Sequence, residues 1–106
     1  MKYRVMRVLC MFDLPTTTKA EQKAYRKFRT AIINEGFYMV QFSVYARTCP
    51  NREFANRLET RIKKYVPKQG NVRLLTVTEK QYTEMKLLVG KVSSTEKIGS
   101  ERLVII

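Results

Sequence analysis

The chain has 106 residues, enough for one domain on the usual scale of about 100–200 residues each, with 21 Lys and Arg against 9 acids for a formal charge of +12. Eight of those acids are Glu and only Asp13 is aspartate; His and Trp are absent, which excludes histidine-based nucleophilic catalysis, an imidazole base and His-ligated zinc. No apolar run approaches the roughly 20 residues that span a bilayer, and a 44% apolar fraction with spaced aromatics excludes a disordered basic tail.

The first segment, Tyr3 to Phe12, is almost wholly apolar after Arg7 and is stopped by Asp13-Leu14-Pro15. It predicts a buried central strand with Asp13 at its C-terminal end. Thr18-Lys19-Ala20-Glu21 is a capping box that opens a helix. Ala24, Phe28, Ala31 and Ile32 form its apolar face, Lys19, Lys23, Arg26 and Lys27 the opposite one with Arg29 to one side, and Gly36 the stop.

Residues 37–48 are aromatic and β-branched without a Gly or Pro turn, and predict two strands with a kink near Gln41. Pro50 and Asn51 open a second helix, with Phe54, Ala55, Leu58, Ile62 and Val66 inward. Its exposed side is basic: Arg52, Arg57, Arg61, Lys63 and Lys64. Val72–Val77 predicts a further strand, and Thr78-Glu79-Lys80-Gln81 is a second capping box, opening a short helix through about Leu88 with Tyr82 and Met85 inward. A polar loop over 90–100 leads to a strongly strand-forming end, Arg102 to Ile106.

Strand, helix, strand, strand, helix, strand is the split βαβ order of an α+β, ferredoxin-like βαββαβ domain, here over residues 1–89, with residues 90–106 as an appended loop and strand. An apolar terminal strand on such a tether would leave an exposed edge. Residues 101–106 are therefore expected to extend the sheet of a partner in a homodimer.

Both halves of the chain carry an excess of six positive charges, residues 1–48 with nine bases and three acids and residues 49–106 with twelve and six. Such an even spread points to broad contact with a polyanion, a soluble basic protein being the plainer alternative. Arg26, Lys27 and Arg29, with Arg57, Arg61 and Lys64, suit phosphate contact rather than base reading. The six tyrosines fall mostly at core-compatible positions, although stacking on bases is open to them. Cys10 reads as core and Cys49 as a loop thiol, both reduced in a cytoplasmic protein without a signal peptide.

Asp13 stands where open sheets present functional groups, yet Asp before Leu-Pro is also ordinary turn chemistry. One carboxylate is a poor magnesium site by itself; a two-fold dimer would bring a second Asp13 to the same axis. A shared Mg2+ there could activate water and offset charge on a phosphodiester.

Met11-Phe12-Asp13-Leu14-Pro15, Tyr25-Arg26-Lys27-Phe28-Arg29, Glu35-Gly36-Phe37, Gln41-Phe42-Ser43-Val44-Tyr45 and Gly70 through Gln81 together resemble the family of CRISPR-associated endonuclease two, in its type II-like variant. The resemblance covers most of residues 4–82 and is weak beyond 90. It implies a ferredoxin-like homodimer with swapped C-terminal strands that acts in CRISPR adaptation. Such a dimer bridges two dimers of the integrase subunit (Cas-one) and holds captured duplex DNA for spacer insertion. It also implies that Asp13 is the catalytic and metal-binding aspartate, with Arg26 and Arg29 only loosely matching the family's arginines. Two other readings fit a small basic domain: a stand-alone, toxin-like metal-dependent ribonuclease, and a non-catalytic ferredoxin-like RNA-binding module.

Overall fold

The two faces of the first strand decide the architecture. In a computed structural model, which describes residues 4–91 together with residues 104 and 105, β1 is Met6–Asp13. Its Met6, Val8, Cys10 and Phe12 are buried, and successive strand residues point to opposite faces. β1 pairs antiparallel with β3 (Val44–Cys49) on one side and with β4 (Asn71–Thr78) on the other. β2 (Tyr38–Gln41) completes the order β2-β3-β1-β4. Helices α1 (Lys19–Asn34) and α2 (Arg52–Ile62) supply Phe28, Ile32, Ala55, Leu58 and Ile62 to the core that also contains Phe12, Phe37 and Tyr45. This antiparallel sheet with both helices contributing to one core is the ferredoxin-like α+β arrangement expected from the element order.

Both capping boxes form. Thr18 accepts from the Glu21 amide while Glu21 accepts from the Thr18 amide, and Thr78 and Gln81 do the same at α3 (Glu79–Thr83). The two strands between α1 and α2 are also present, separated by a turn at Phe42-Ser43 with a register shift between Met39 and Gln41. No glycine is needed because Ser43 itself takes the left-handed conformation, φ 64°.

Three details depart from expectation. The second helix ends at Ile62 rather than continuing to Val66: Pro67 disfavours helical backbone at the residue before it, and the chain leaves in a turn closed by Tyr65 N–H on the Ile62 carbonyl. Val66, expected inward, is consequently exposed. The last helix stops at Thr83, because Lys86–Leu87 forms a strand, β5, that pairs in parallel with β6 (Val104–Ile105). Met85, expected inward, is only half-buried. Cys49 is no loop thiol; it is the buried last residue of β3, and burial raises its thiol pKa.

The terminal strand thus pairs within its own chain at Val104–Ile105, while most of the expected polar loop and the rest of residues 101–106 lie outside the described residues.

Candidate active site and nucleic-acid surface

The register divides the strand residues between two faces. Val72 and Leu74 of β4 pack on the core with Cys10 and Phe12 of β1. Their strand neighbours look the other way: Arg7, Leu9, Met11 and Asp13 on β1, Asn71, Arg73, Leu75 and Val77 on β4, and Val44, Ala46 and Thr48 on β3. Neither α1 nor α2 covers this second face. Its middle is apolar, with Leu75 50% exposed and Leu9, Met11, Val44 and Val77 partly so.

Asp13 ends the uncovered face, exposed, and opposite Asn71 in the ladder. Two features hold the backbone around it. A Cβ on Gly70, whose φ is +93°, would lie 2.7 Å from the Asp13 carbonyl oxygen and 2.8 Å from Leu14 Cδ2, so only glycine allows this approach. On the other flank the Phe12 N–H donates to the Ser43 carbonyl at 3.0 Å. Among the described residues no three Cys, Asp or Glu side chains gather into a metal-binding group. The donors at this end, one carboxylate and the amide oxygen of Asn71, are hard oxygen ligands of the kind magnesium takes, but one chain supplies few of them.

Arg73 lies on the same face, opposite Met11 and two residues along β4 from Asn71, and is exposed. Sequence reading passed over it; the alternation of buried Val72 and Leu74 was the available signal. At the far end of the face stands a second arginine that sequence reading treated as a strand margin. Arg7 is fully buried, with Nε and Nη2 on the two carboxylate oxygens of Glu79 at 2.7 and 2.9 Å. Its Nη1 donates to the Tyr38 hydroxyl, and its guanidinium lies 4.2 Å from the centre of the Tyr82 ring. Burial alone would lower its pKa; the Glu79 hydrogen bonds and the charges of Glu79, Tyr38 and Tyr82 outweigh this and raise it. The cluster ties α3 to the sheet.

The basic residues named from sequence lie elsewhere. Arg26, Lys27 and Arg29 are exposed on α1, although Arg29 Nε donates to the buried Tyr45 hydroxyl at 2.8 Å. Arg57 is exposed on α2 with its guanidinium 6.0 Å from the Phe54 ring. Arg61 pairs with Glu35 at 3.0 Å, which offsets its charge, and Lys64 is exposed beyond the helix end. Lys27 and Lys64 both line a groove of about 1010 Å³ between α1 and residues 64–69. None of the six shares a face with Asp13. Of the tyrosines, Tyr45 and Tyr82 are buried and Tyr25 packs on the core. Tyr65 is exposed, its hydroxyl donating to Glu35, a bond that raises its pKa.

A strongly basic ferredoxin-like domain with an exposed aspartate at the end of its central strand falls in the class of small basic α+β proteins. Residues 6–85 match the family model described as CRISPR associated protein Cas2, and the chain belongs to that family. It is 46% identical over 101 residues to the CRISPR-associated endoribonuclease Cas2 of Ligilactobacillus salivarius, covering 95% of this chain and all of the relative. It is 46% identical over 99 residues to that of Streptococcus mutans, covering 93% and 91%. Against the Campylobacter jejuni protein of the same name the figures are 47% over 98 residues, 92% of this chain and 68% of the relative. A solved structure, "Crystal structure of cas2", superposes with a TM-score of 0.50 at 19% identity over 85% of this chain and 92% of the other, which supports the fold. Among the described residues no helix is long and apolar enough to cross a membrane.

Proposed function

We propose that the chain is the DNA-holding subunit of CRISPR spacer acquisition. It works as a homodimer that bridges two dimers of the integrase subunit and binds captured duplex DNA through the basic helical surface. The observation that carries this reading is the division of the sheet into a covered face and an uncovered apolar one. Among the described residues β4 pairs only with β1, so its eight-residue outer edge is open as well. An uncovered apolar face beside an open edge favours a second copy, whose terminal strand could add to β4. The exposed basic residues of α1 and α2 then stay free for phosphates, which are held by charge without base reading.

Metal-dependent cleavage is the second activity, favoured by the position of Asp13 and by the endoribonuclease name its relatives carry. Asp13 of each protomer would hold a shared Mg2+, with Asn71 as a further oxygen donor. The ion, when bound, supplies Lewis acidity and a more acidic water. The chain's own contribution is to fix Asp13 through the Gly70 and Ser43 contacts and to place the positive charge of Arg73 on the same face.

The test is co-elution of the full chain, the integrase subunit and duplex DNA. A stable ternary complex at low and moderate salt is expected, and failure to associate at both overturns the scaffold reading. Asp13→Ala is expected to abolish Mg2+-dependent cleavage of RNA and DNA while leaving that complex intact. Full retention of cleavage would remove Asp13 from the site.

A further inference from the structure

The groove between α1 and residues 64–69 serves neither the core nor the Asp13 site, and its origin is local. α2 stops at Ile62 ahead of Pro67, and Tyr65 is tied back by donating its hydroxyl to Glu35. Val66 therefore stands 43% exposed along one wall instead of entering the core. Ala20, Ala24, Phe28 and Ala31, three or four residues apart on α1, line the other wall over about 17 Å of helix.

The free charges around this apolar lining are of one sign. Lys27 lies on the α1 wall and Lys64 and Lys68 on the opposite one, and among the described residues none of the three makes an ion pair. Both acids of the lining are engaged. Glu21 accepts from the Thr17 and Thr18 amides at 3.0 and 2.9 Å, and Glu35 accepts from Arg61 and from Tyr65 at 3.0 Å each.

We infer that this groove is a docking site for an amphipathic helix of a partner protein, its apolar stripe seated between the walls and an acidic row on each flank. Phosphate alone does not account for the site, because charge and hydrogen-bond donors hold it and an apolar lining adds nothing. A single-headed amphiphile would find its counter-charge at one end of the groove, whereas these lysines stand on both walls. A helix laid lengthwise meets both, with anchors at i, i+3, i+4 and i+7 in the groove and charge complementarity fixing its choice. The inference goes beyond the proposed function: Lys27 and Lys64 serve the partner helix, while Arg26, Arg29 and Arg57 remain for DNA.

The experiment measures fluorescence anisotropy of a labelled, stapled 15-residue helix, about four turns, with Leu along one face and Glu on both flanks, mixed with the full-length protein. Wild type should bind it about tenfold more tightly than a peptide of the same composition in scrambled order. Ala24→Gln, which places a polar side chain on the groove wall, should lose about tenfold while keeping the wild-type urea midpoint. Val66→Ser is the second variant, expected to weaken binding in the same way without touching α1. In amide NMR spectra the helix should shift residues 20–31 and 64–69. Equal binding of the scrambled peptide, or shifts centred elsewhere, would overturn the inference. So would full affinity in both variants. Displacement of the helix by an equimolar blunt DNA duplex would return the lysines to phosphate. Tighter binding of dodecanoate than of the helix would make the groove an amphiphile site, and either result overturns the proposal.

Discussion

The two faces of the four-stranded sheet are written in alternate residues of the same strands, and they serve different ends. One face, through Val8, Cys10, Phe12 and Leu74, is committed to α1 and α2 and closes the core. The other carries Leu9, Met11 and Leu75 in the open, between a buried arginine cluster at one end and the exposed Asp13 at the other. Because the faces differ by one residue in register, a strand slip would exchange core for surface throughout. Fold stability and proposed assembly are therefore separable by mutation in this molecule, although the residues concerned are neighbours in sequence.

The sharpest way to break that separation is to truncate one large side chain on each face. Phe28→Ala should lower unfolding stability by about 3–5 kcal/mol, read by urea titration, since the ring is buried against Phe12. Leu75→Ala should change monomer stability little, and instead weaken dimerisation in sedimentation. Equal effects on stability would show that the second face is not free.

Next in size is the arginine cluster. Arg7→Ala leaves Glu79 without its partner and should cost about 3 kcal/mol, because breaking a buried pair is far worse than replacing it. The double change Arg7→Met with Glu79→Met should recover most of that loss, again measured in urea.

Alkaline pH tests the covered face through Cys10. Burial pushes the Cys10 thiol up to about 12 from an ordinary 9.0. The folded state thus holds a proton that the unfolded state releases above 9, so this contribution to stability is complete below 9 and is lost as pH rises toward 12. Native Cys10 should resist alkylation at pH 8 and react only on unfolding; Cys10→Ser should flatten the alkaline decline. The smallest expected change is at the first capping box, where Thr18→Ala should cost about 1 kcal/mol in the same titration.

How far these features can be read in advance depends on the range of the interaction that makes them. Capping boxes act over three residues, and both Thr18/Glu21 and Thr78/Gln81 were legible without coordinates. The same holds for the near-continuous apolar run of β1, which marks a central strand, and for Asp13 at its end. Arg7 was not legible, because the carboxylate that allows its burial is 72 positions away in sequence. Arg73 was passed over although its alternation could be seen, and its place on the Asp13 face depends on the β1–β4 register. The turn at Phe42-Ser43 hid for a local reason: a serine does there what a glycine usually announces. The short pairing of β5 with β6 cut short a helix whose capping box does form, as long-range strand pairing can.

The central position of β1 carries a consequence for how the chain acquires its shape. β1 is synthesised first, yet one of its two sheet neighbours, β4, ends at Thr78. During synthesis Met6, Val8, Cys10 and Phe12 must wait, with no finished sheet around them, until most of the chain has emerged. Long-range pairing of this kind slows folding and prolongs the time during which apolar strand is available to wrong partners. Translation pauses within residues 14–70 should therefore influence the yield of native protein more than pauses after residue 78.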